Sequence, residues 1–367
     1  MKKTVLAAII LSTCMYGTAT AQVLGKIDYL EGLVTITRNG ISLSKVDIGS
    51  PIENLDLIKT TKDGLVSISF DKESGLTGTV QIVAGSTAVI RQEQLSSTTA
   101  NEVQLIAGSV DLKVKRLAGV KSSVQVRTPT AVLGVRGTEF VVASFNGSAI
   151  VACKEGEVFC SSSPAGAPSG KSAGKGKSAV PGTMVEILES GDLNAGAFPA
   201  GDFDENWAAV QDKWKTFNVE LFVEDPVTFL NQFVNNWTLY STKVEAGAER
   251  LRANSMLQKW LRNAGSGQLS GSLGDWVKER PAVMKDLIAI RPDMVLSLIT
   301  FYRIQELIPY VAESEMGRPL MNGQPVKAFI KEFSDSSRKV TEAASLFYAA
   351  EKQYMLRNDG ISPFTDF

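Results

Sequence analysis

The fold turns on the stretch Thr128-Pro129-Thr130-Ala131-Val132-Leu133-Gly134-Val135-Arg136-Gly137-Thr138-Glu139-Phe140. Pro129 has no amide to give to a sheet ladder, and Gly134 and Gly137 bring no side chain to one. β-Branched residues fill most of the rest, so the run reads as two short extended pieces joined by a glycine-shaped bend. Arg136 sits between the two glycines. Its planar, five-donor guanidinium can tie the bend to neighbouring backbone carbonyls, a structural role preferred here over ligand binding.

Short strands punctuated by glycine extend on both sides of this stretch, from Val23 to about Phe198. Val34 and Ile36 alternate with polar residues before an Asn39-Gly40 turn, and Val66, Ile68 and Phe70 alternate with Ser67 and Ser69, as half-buried strands require. Gly32, Gly85, Gly108 and Gly156 each stand between extended apolar segments at irregular spacing. That echo is no strict repeat, and it suits a stack of β-arcs or a compact barrel-like sandwich. Gly182 to Leu188 alternates again and is expected to supply the last strand. Between these segments, Ser161 to Val180 is a Ser/Ala/Gly/Pro/Lys tract that reads as a flexible loop. Its Gly174-Lys175-Gly176-Lys177-Ser178 fails the phosphate-loop spacing, because Lys171 stands where a glycine is required.

Thr128 to Phe140 matches the Thr-Pro-x-Ala-Val-x-Gly-Val-Arg-Gly-Thr-x-Phe signature of the FecR-like domain family at every fixed position, and the chain resembles that family over roughly residues 25 to 195. Gly32, Thr60, Gly64, Leu105, Gly108 and Val110 follow the rest of the family pattern. The resemblance implies an all-β, exported, non-enzymatic, protein-binding domain whose structural residues here are Thr128, Pro129, Gly134, Arg136, Gly137, Thr138 and Phe140. Family members that relay signals from iron-uptake receptors join this domain through a membrane helix to a cytoplasmic anti-sigma segment. Here a cleavable leader is expected instead, which sets this chain apart from that arrangement.

Beyond Gly201 the texture becomes helical. Trp207, Val210, Trp214 and Phe217 recur at three- and four-residue steps after Asp202 or Asp204, and Asp225-Pro226 is a capped helix start. The helix it opens carries Phe229, Leu230, Phe233, Val234, Trp237 and Val244 and is expected to reach toward Leu261. Short helices are predicted at Leu273–Lys278 and Pro281–Ile290, another from Arg291-Pro292 to Tyr310, and a long one at Val326–Leu356. The fold class is thus multidomain, β plus α. Residues 1–22 form a signal peptide, 23–200 an all-β domain of β-arc, solenoid or sandwich type with the loop at 161–180, and 201–367 an α-helical domain.

Composition narrows the function. Lys+Arg 38 against Asp+Glu 39 leaves a net charge of −1, with no basic face for nucleic acid. The chain has no histidine, which removes Ser-His-Asp and Cys-His catalysis and histidine-ligated metals. Lys2 and Lys3, the apolar run from Val5 to Leu11 and Ala19-Thr20-Ala21 before Gln22 form an export signal. Cys14 offers a rival reading as a lipid-anchor site, disfavoured by the threonine before it. No later stretch supplies about 18 uninterrupted apolar residues, so no transmembrane span is expected. The terminal Phe367 resembles the end of an outer-membrane barrel, without barrel strands to support it.

Cys153 and Cys160 flank a six-residue segment. With a Gly156-Glu157 hairpin turn they would fall opposite each other and form a disulfide in an oxidising compartment. Paired carboxylates such as Glu155 with Glu157, or Asp202 with Asp204, sit on turns and helix starts. Asp56 and Asp63 do not make a calcium loop. The sequence therefore predicts no enzyme, no cofactor and no metal. It predicts a periplasmic or secreted scaffold that binds other envelope proteins, with an accessory sensor in envelope signalling and a cell-wall glycan binder as alternatives. Glycan stacking is disfavoured because the β part offers only Tyr29, Phe70, Phe140, Phe145 and Phe159, mostly at apolar strand positions.

Overall fold

The computed structural model describes residues 23–71, 77–95, 98–115, 122–135, 137–163, 176–262, 264 and 269–364. The expected leader with Cys14, the signature's Arg136, residues 164–175 of the tract and Phe367 lie outside them.

The strands form two sheets. Sheet I runs in the order β4 (Pro51–Glu53), β1 (Val23–Glu31), β6 (Leu65–Phe70), β7 (Thr77–Ile82), the second half of β9 (Thr98–Lys115), β12 (Glu139–Phe145), β13 (Ser148–Glu155), β16 (Thr183–Ile187) and β17 (Leu193–Ala197), antiparallel throughout. Sheet II runs β3 (Ile41–Ser42), β2 (Val34–Arg38), β5 (Asp56–Thr60), β8 (Thr87–Leu95), the first half of β9, β10 (Ser122–Arg127), β11 (Ala131–Val135), β14 (Val158–Ser162) and β15 (Lys177–Ala179). Only β9 and β10 pair in parallel in it. β9, about 60 Å long at the usual strand rise, belongs to both sheets and joins them.

The echoing glycines mark the corners. Gly32, Gly85 and Gly156 lie where the chain passes from sheet I to sheet II, Gly108 lies where β9 crosses back, and all four have positive φ. Gly108 is tightly constrained: φ is +91°, and a Cβ there would fall 2.5 Å from the Ser86 Cα. The crossing would leave backbone groups without ladder partners, and buried hydroxyls take their place. Thr60 Oγ1 donates to the Val83 carbonyl at 2.6 Å and accepts the Ser86 amide at 2.8 Å. Ser86 Oγ donates to the Ser109 carbonyl at 3.0 Å and accepts the Ser109 amide at 2.8 Å, while Ser109 Oγ donates to the Val142 carbonyl at 3.0 Å.

Period-2 alternation fills the space between the sheets with Ile36, Ile58, Ile68, Val80, Leu105, Leu112, Val126, Leu133, Phe140 and Val142, all almost fully buried. Both outer faces are partly covered as well. Val141, Ala143, Ile150 and Ala152 point away from the sandwich and pack on Phe198 and Trp207, the latter in α1 (Phe203–Glu224). Val89, Ile106, Ala107 and Phe145 belong to the same continuous core as the helices α2 (Pro226–Ala253), α3 (Ser255–Arg262), α4 (Leu273–Leu307) and α5 (Val326–Leu356). Trp237 forms the centre of that core, 4.8 Å from the Phe333 ring, with its indole N–H on Ser336 Oγ at 3.0 Å.

Several elements differ from expectation. β17 follows β16, so Thr183–Ile187 is not the last strand. Lys177–Ala179, inside the tract read as a loop, is a strand that pairs with β14. α2 ends at Ala253, because Asn254 turns out and caps α3, its Oδ1 accepting the Met256 and Leu257 amides at 3.1 and 3.0 Å. The three helices predicted between Leu273 and Tyr310 are one 35-residue helix that contains Pro281 and Pro292, followed by a 3-10 turn at Ile308–Tyr310. A proline inside a helix costs about 3 kcal/mol, and here Val283, Leu287, Ile290, Met294 and Leu298 on either side of Pro292 are fixed in one core that offsets it. Asp202 and Asp225 cap α1 and α2 as expected, yet Phe217 is exposed rather than buried with Trp207.

The expected Cys153–Cys160 disulfide is absent: both cysteines are free and buried. The hairpin that would have set them opposite each other does not form, because Gly156 sends the chain across to the other sheet. Cys153 lies in β13 of sheet I, opposite Phe140, and Cys160 in β14 of sheet II, opposite Leu133. Burial pushes the Cys153 thiol up to about 11 and the Cys160 thiol up to about 12.

Two outcomes follow from this packing. Gly108→Ala should destabilise the protein by about 3 kcal/mol in urea unfolding, the sum of a left-handed backbone penalty and the contact with Ser86, whereas Gly85→Ala, which faces open space, should cost about 1 kcal/mol; equal losses would show that the crossing is not the constrained corner. In the chain beginning at Gln22, both thiols should resist an aromatic disulfide reagent at about pH 8 and react only on unfolding.

Candidate functional site

Thr128-Pro129-Thr130-Ala131 forms a tight turn between β10 and β11. The Thr128 amide donates to the Ala131 carbonyl at 2.9 Å, and Thr128 Oγ1 accepts the Ala131 amide at 3.0 Å. Proline is preset for such a turn and threonine closes it from its side chain. Gly137 makes the bend between β11 and β12 with φ of +64°. Gly134 is not at the bend: it lies within β11 opposite Phe159, with room for a Cβ. Thr138 is buried against Gly156, its carbonyl accepting the Val114 amide at 2.9 Å, and Phe140 is 1% exposed in the inter-sheet core. The signature residues in view thus hold the fold, and Thr128 and Pro129 also wall a crevice that faces α4 and α5.

That crevice belongs to a polar seam between the sandwich and the helices. At one end Arg38 of β2 pairs with Glu53 at 2.7 Å and Asp56 at 2.6 Å, and Lys352 of α5 reaches Glu53 at 2.7 Å and Asp56 at 3.8 Å. Burial pushes the Asp56 carboxyl up, against the pull of the Arg38 hydrogen bond and the Lys352 charge. In the middle, Arg91 of β8 pairs with the fully buried Glu351 of α5 and donates to Ser362 Oγ at 3.1 Å. The Ser362 amide donates to Glu93 at 2.9 Å. At the other end the Asn146-Gly147 tip of the β12–β13 hairpin docks on α4. The Asn146 amide donates to Glu306 at 2.8 Å, and Arg303 donates to Asn146 Oδ1 at 3.3 Å and to both oxygens of Glu189 at 2.5 and 2.7 Å.

Of these charged seam residues only Asp56 drew attention in the sequence, as a calcium-loop candidate that failed its spacing. Asn146-Gly147 between apolar runs is a readable hairpin signal, but the charged residues look like ordinary solvated positions of strands and helices until their partners are known. Among the described residues no group of three or more Cys, Asp or Glu side chains is placed to hold a metal, and no helix is long and apolar enough to cross a membrane. Phe70, Phe140 and Phe145 are buried, leaving Tyr29 and Phe159 as the exposed aromatics of those five.

The family model described as FecR protein matches residues 56–159, from the start of β5 into β14. The chain therefore carries a FecR domain over that span, and β1 to β4 and β15 to β17 complete its sheets from outside the matched segment. No curated protein matches the sequence. Two crystal structures of a candidate anti-sigma factor from Parabacteroides distasonis ATCC 8503 are similar at 16% identity and a TM-score of 0.30, over 38% of this chain and 59% of theirs.

Glu306 gives the seam a pH dependence. Burial pushes its carboxyl from 4.5 up to about 7, only partly countered by the Asn146 amide and by the Lys215 and Arg303 charges. An acid raised on folding adds no penalty below its unfolded value and a full one above its folded value, so stability falls as pH rises from about 4.5 to 7. Glu306→Gln should abolish a loss on the order of 2 kcal/mol between about pH 5 and 8, seen in urea midpoints compared at the two pH values. A wild-type protein whose stability rises across that window relative to the variant would show that the carboxylate is favoured instead.

Proposed function

We propose that this protein is an exported, non-enzymatic interaction component of the cell envelope, a scaffold of the signal-relay kind whose FecR domain and helices work as one body. The observation that carries this reading is the FecR domain at residues 56–159. It is supported by the continuity of one core from Val89, Ile106 and Phe145 of the sandwich into the helices. A protein built this way binds partners with faces of a single rigid unit. Its lack of histidine is in keeping with a role that needs no acid–base chemistry of its own. The export signal at residues 1–22 points to the periplasm or the exterior, and the partners are then other envelope proteins.

Removing the helices would strip the cover from Val89, Ile106 and Phe145, so the test keeps the full chain. A photo-reactive residue placed at exposed Ile41 in β3, or at exposed Phe217 in α1, should capture a defined set of envelope proteins in cells, with mass spectrometry naming them. A receptor or a membrane anti-sigma protein captured at Ile41 would assign the relay to the FecR face. Capture of neither envelope proteins nor membrane partners at either position, or capture of cytoplasmic proteins alone, would overturn the reading.

A further inference from the structure

The ends of the two sheets are unequally guarded. A free edge strand offers unpaired amides and carbonyls to any strand that meets it, and proline, bulges, charge or short length normally blunt it. β4, at one end of sheet I, carries Pro51, and the neighbouring β1 is bulged between Val23 and Gly25 and again between Ile27 and Tyr29. β3, at one end of sheet II, has two residues, and β15, at the other, has three and carries Lys177. β17, Leu193-Asn194-Ala195-Gly196-Ala197, ends sheet I with five residues and none of these devices.

The register of β17 fixes which of its groups are free. Among the described residues it pairs with β16 alone. The Leu188 amide donates to the Asp192 carbonyl at 2.9 Å, and the Phe198 amide donates to the Gly182 carbonyl at 2.9 Å. Residues that bond toward one neighbour alternate with those that face the other in an antiparallel ladder. Asn194 and Gly196 therefore bond to β16, and Leu193, Ala195 and Ala197 direct their amides and carbonyls outward. α1 leaves this edge clear: it packs on Val141, Ala143, Ile150 and Ala152, its Trp214 reaches Glu186 of β16, and Asn194 to Ala197 stay exposed.

What fits this edge follows from its symmetry. The outward groups are evenly spaced about Ala195, so a second β17 running antiparallel meets them with the same set, Ala195 opposite its own equivalent and Leu193 opposite the partner's Ala197. Side-chain sizes match in that register, because Leu193 faces an alanine and Asn194 faces the partner's Gly196. A Cβ on Gly196 would meet only Met184 Cε at 3.6 Å, an ordinary contact. Nothing within one chain therefore calls for glycine there, whereas an opposing Asn194 does. The strand carries no charged side chain, so self-pairing sets no like charges opposite each other, and Asp192 just before it falls opposite the partner's Phe198.

We propose that β17 is a self-association edge: two copies of this chain pair antiparallel through Leu193–Ala197 about a dyad at Ala195, and sheet I continues from one copy into the other. The contact goes beyond the role with envelope partners and does not rest on it, because it is read on the purified chain alone. A five-residue edge buries less than the roughly 800 Å² per partner of a standard interface, so the outcome is a monomer–dimer equilibrium and not an obligate dimer.

In analytical ultracentrifugation of the chain beginning at Gln22, the mean mass should rise from one copy toward two between about 1 and 100 μM. Ala195→Pro removes only an outward amide, which an edge strand tolerates, and should weaken dimerisation at least about tenfold while shifting the melting temperature little. Ala195→Cys, on the dyad with Cα atoms about 5.5 Å apart, should be joined to its copy by a short bismaleimide, whereas Ile41→Cys on the exposed β3 edge should not. Cys153 and Cys160 are buried and stay out of the reaction. A chain still monomeric at about 100 μM, a dimer unweakened by Ala195→Pro, or a dimer joined at Ile41→Cys and not at Ala195→Cys would each overturn the assignment. So would an Ala195→Cys chain that joins in an envelope extract to another protein and never to itself. If Ala195→Pro does not fold, the masses and crosslinks of the other chains decide the matter.

Discussion

A strand that leaves one sheet for another abandons ladder partners at the crossing, and a buried amide or carbonyl left without one costs about 1–3 kcal/mol. The whole sandwich depends on how β9 meets that constraint. Gly108 supplies the left-handed backbone, and the hydroxyls of Thr60, Ser86 and Ser109 take over from the missing ladder. With that corner closed, the first half of β9 can pair with β8 and β10 and the second half with β7 and β12. The two sheets are then set face to face with Leu105 and Leu112 of the same strand pointing into their shared core.

The same geometry creates a demand for the helices. Strands covered on one side only would alternate apolar and polar, yet β12 and β13 are buried on nearly every residue, and β8 turns Val89 away from the sandwich. These outward apolar residues need a second cover, which α1 gives to sheet I and the bundle to sheet II. Charged pairs such as Arg91–Glu351 and Lys352–Glu53 cross that second interface. Such pairs contribute little net stability, because desolvation offsets attraction, but removing one partner leaves an unpaired buried charge. They therefore fix where the helices sit more than how tightly, and they make a shifted docking costly.

How much of this was legible follows from the range of each signal. Local patterns were readable: the alternation of Val66, Ile68 and Phe70, the Asn39-Gly40 turn, the aspartate caps before α1 and α2, and the glycines that prove to be sheet corners. The family signature located the bend at Gly137. Signals that depend on a distant partner were not. Pro281 and Pro292 read as helix ends because the core that holds α4 straight through them is built by residues far away in sequence. Cys153 and Cys160 read as a hairpin pair because nothing local distinguishes a turn within one sheet from an arc between two. Gly134 was grouped with the bend on sequence proximity alone. The seam was invisible for the same reason: Arg91, Glu351 and Arg303 acquire meaning only from partners more than a hundred positions away.

That distribution bears on how a protein without histidine would respond to its surroundings. A conformational equilibrium moves only by the difference in affinity that a proton, an ion or a partner has for its two states. The inter-sheet core, built of apolar side chains and two buried thiols, offers little such difference. The seam offers one, because burial raises the proton affinity of Glu306 even though the Asn146 amide favours its carboxylate. A proton bound there acts on the contact between the β12–β13 tip and α4.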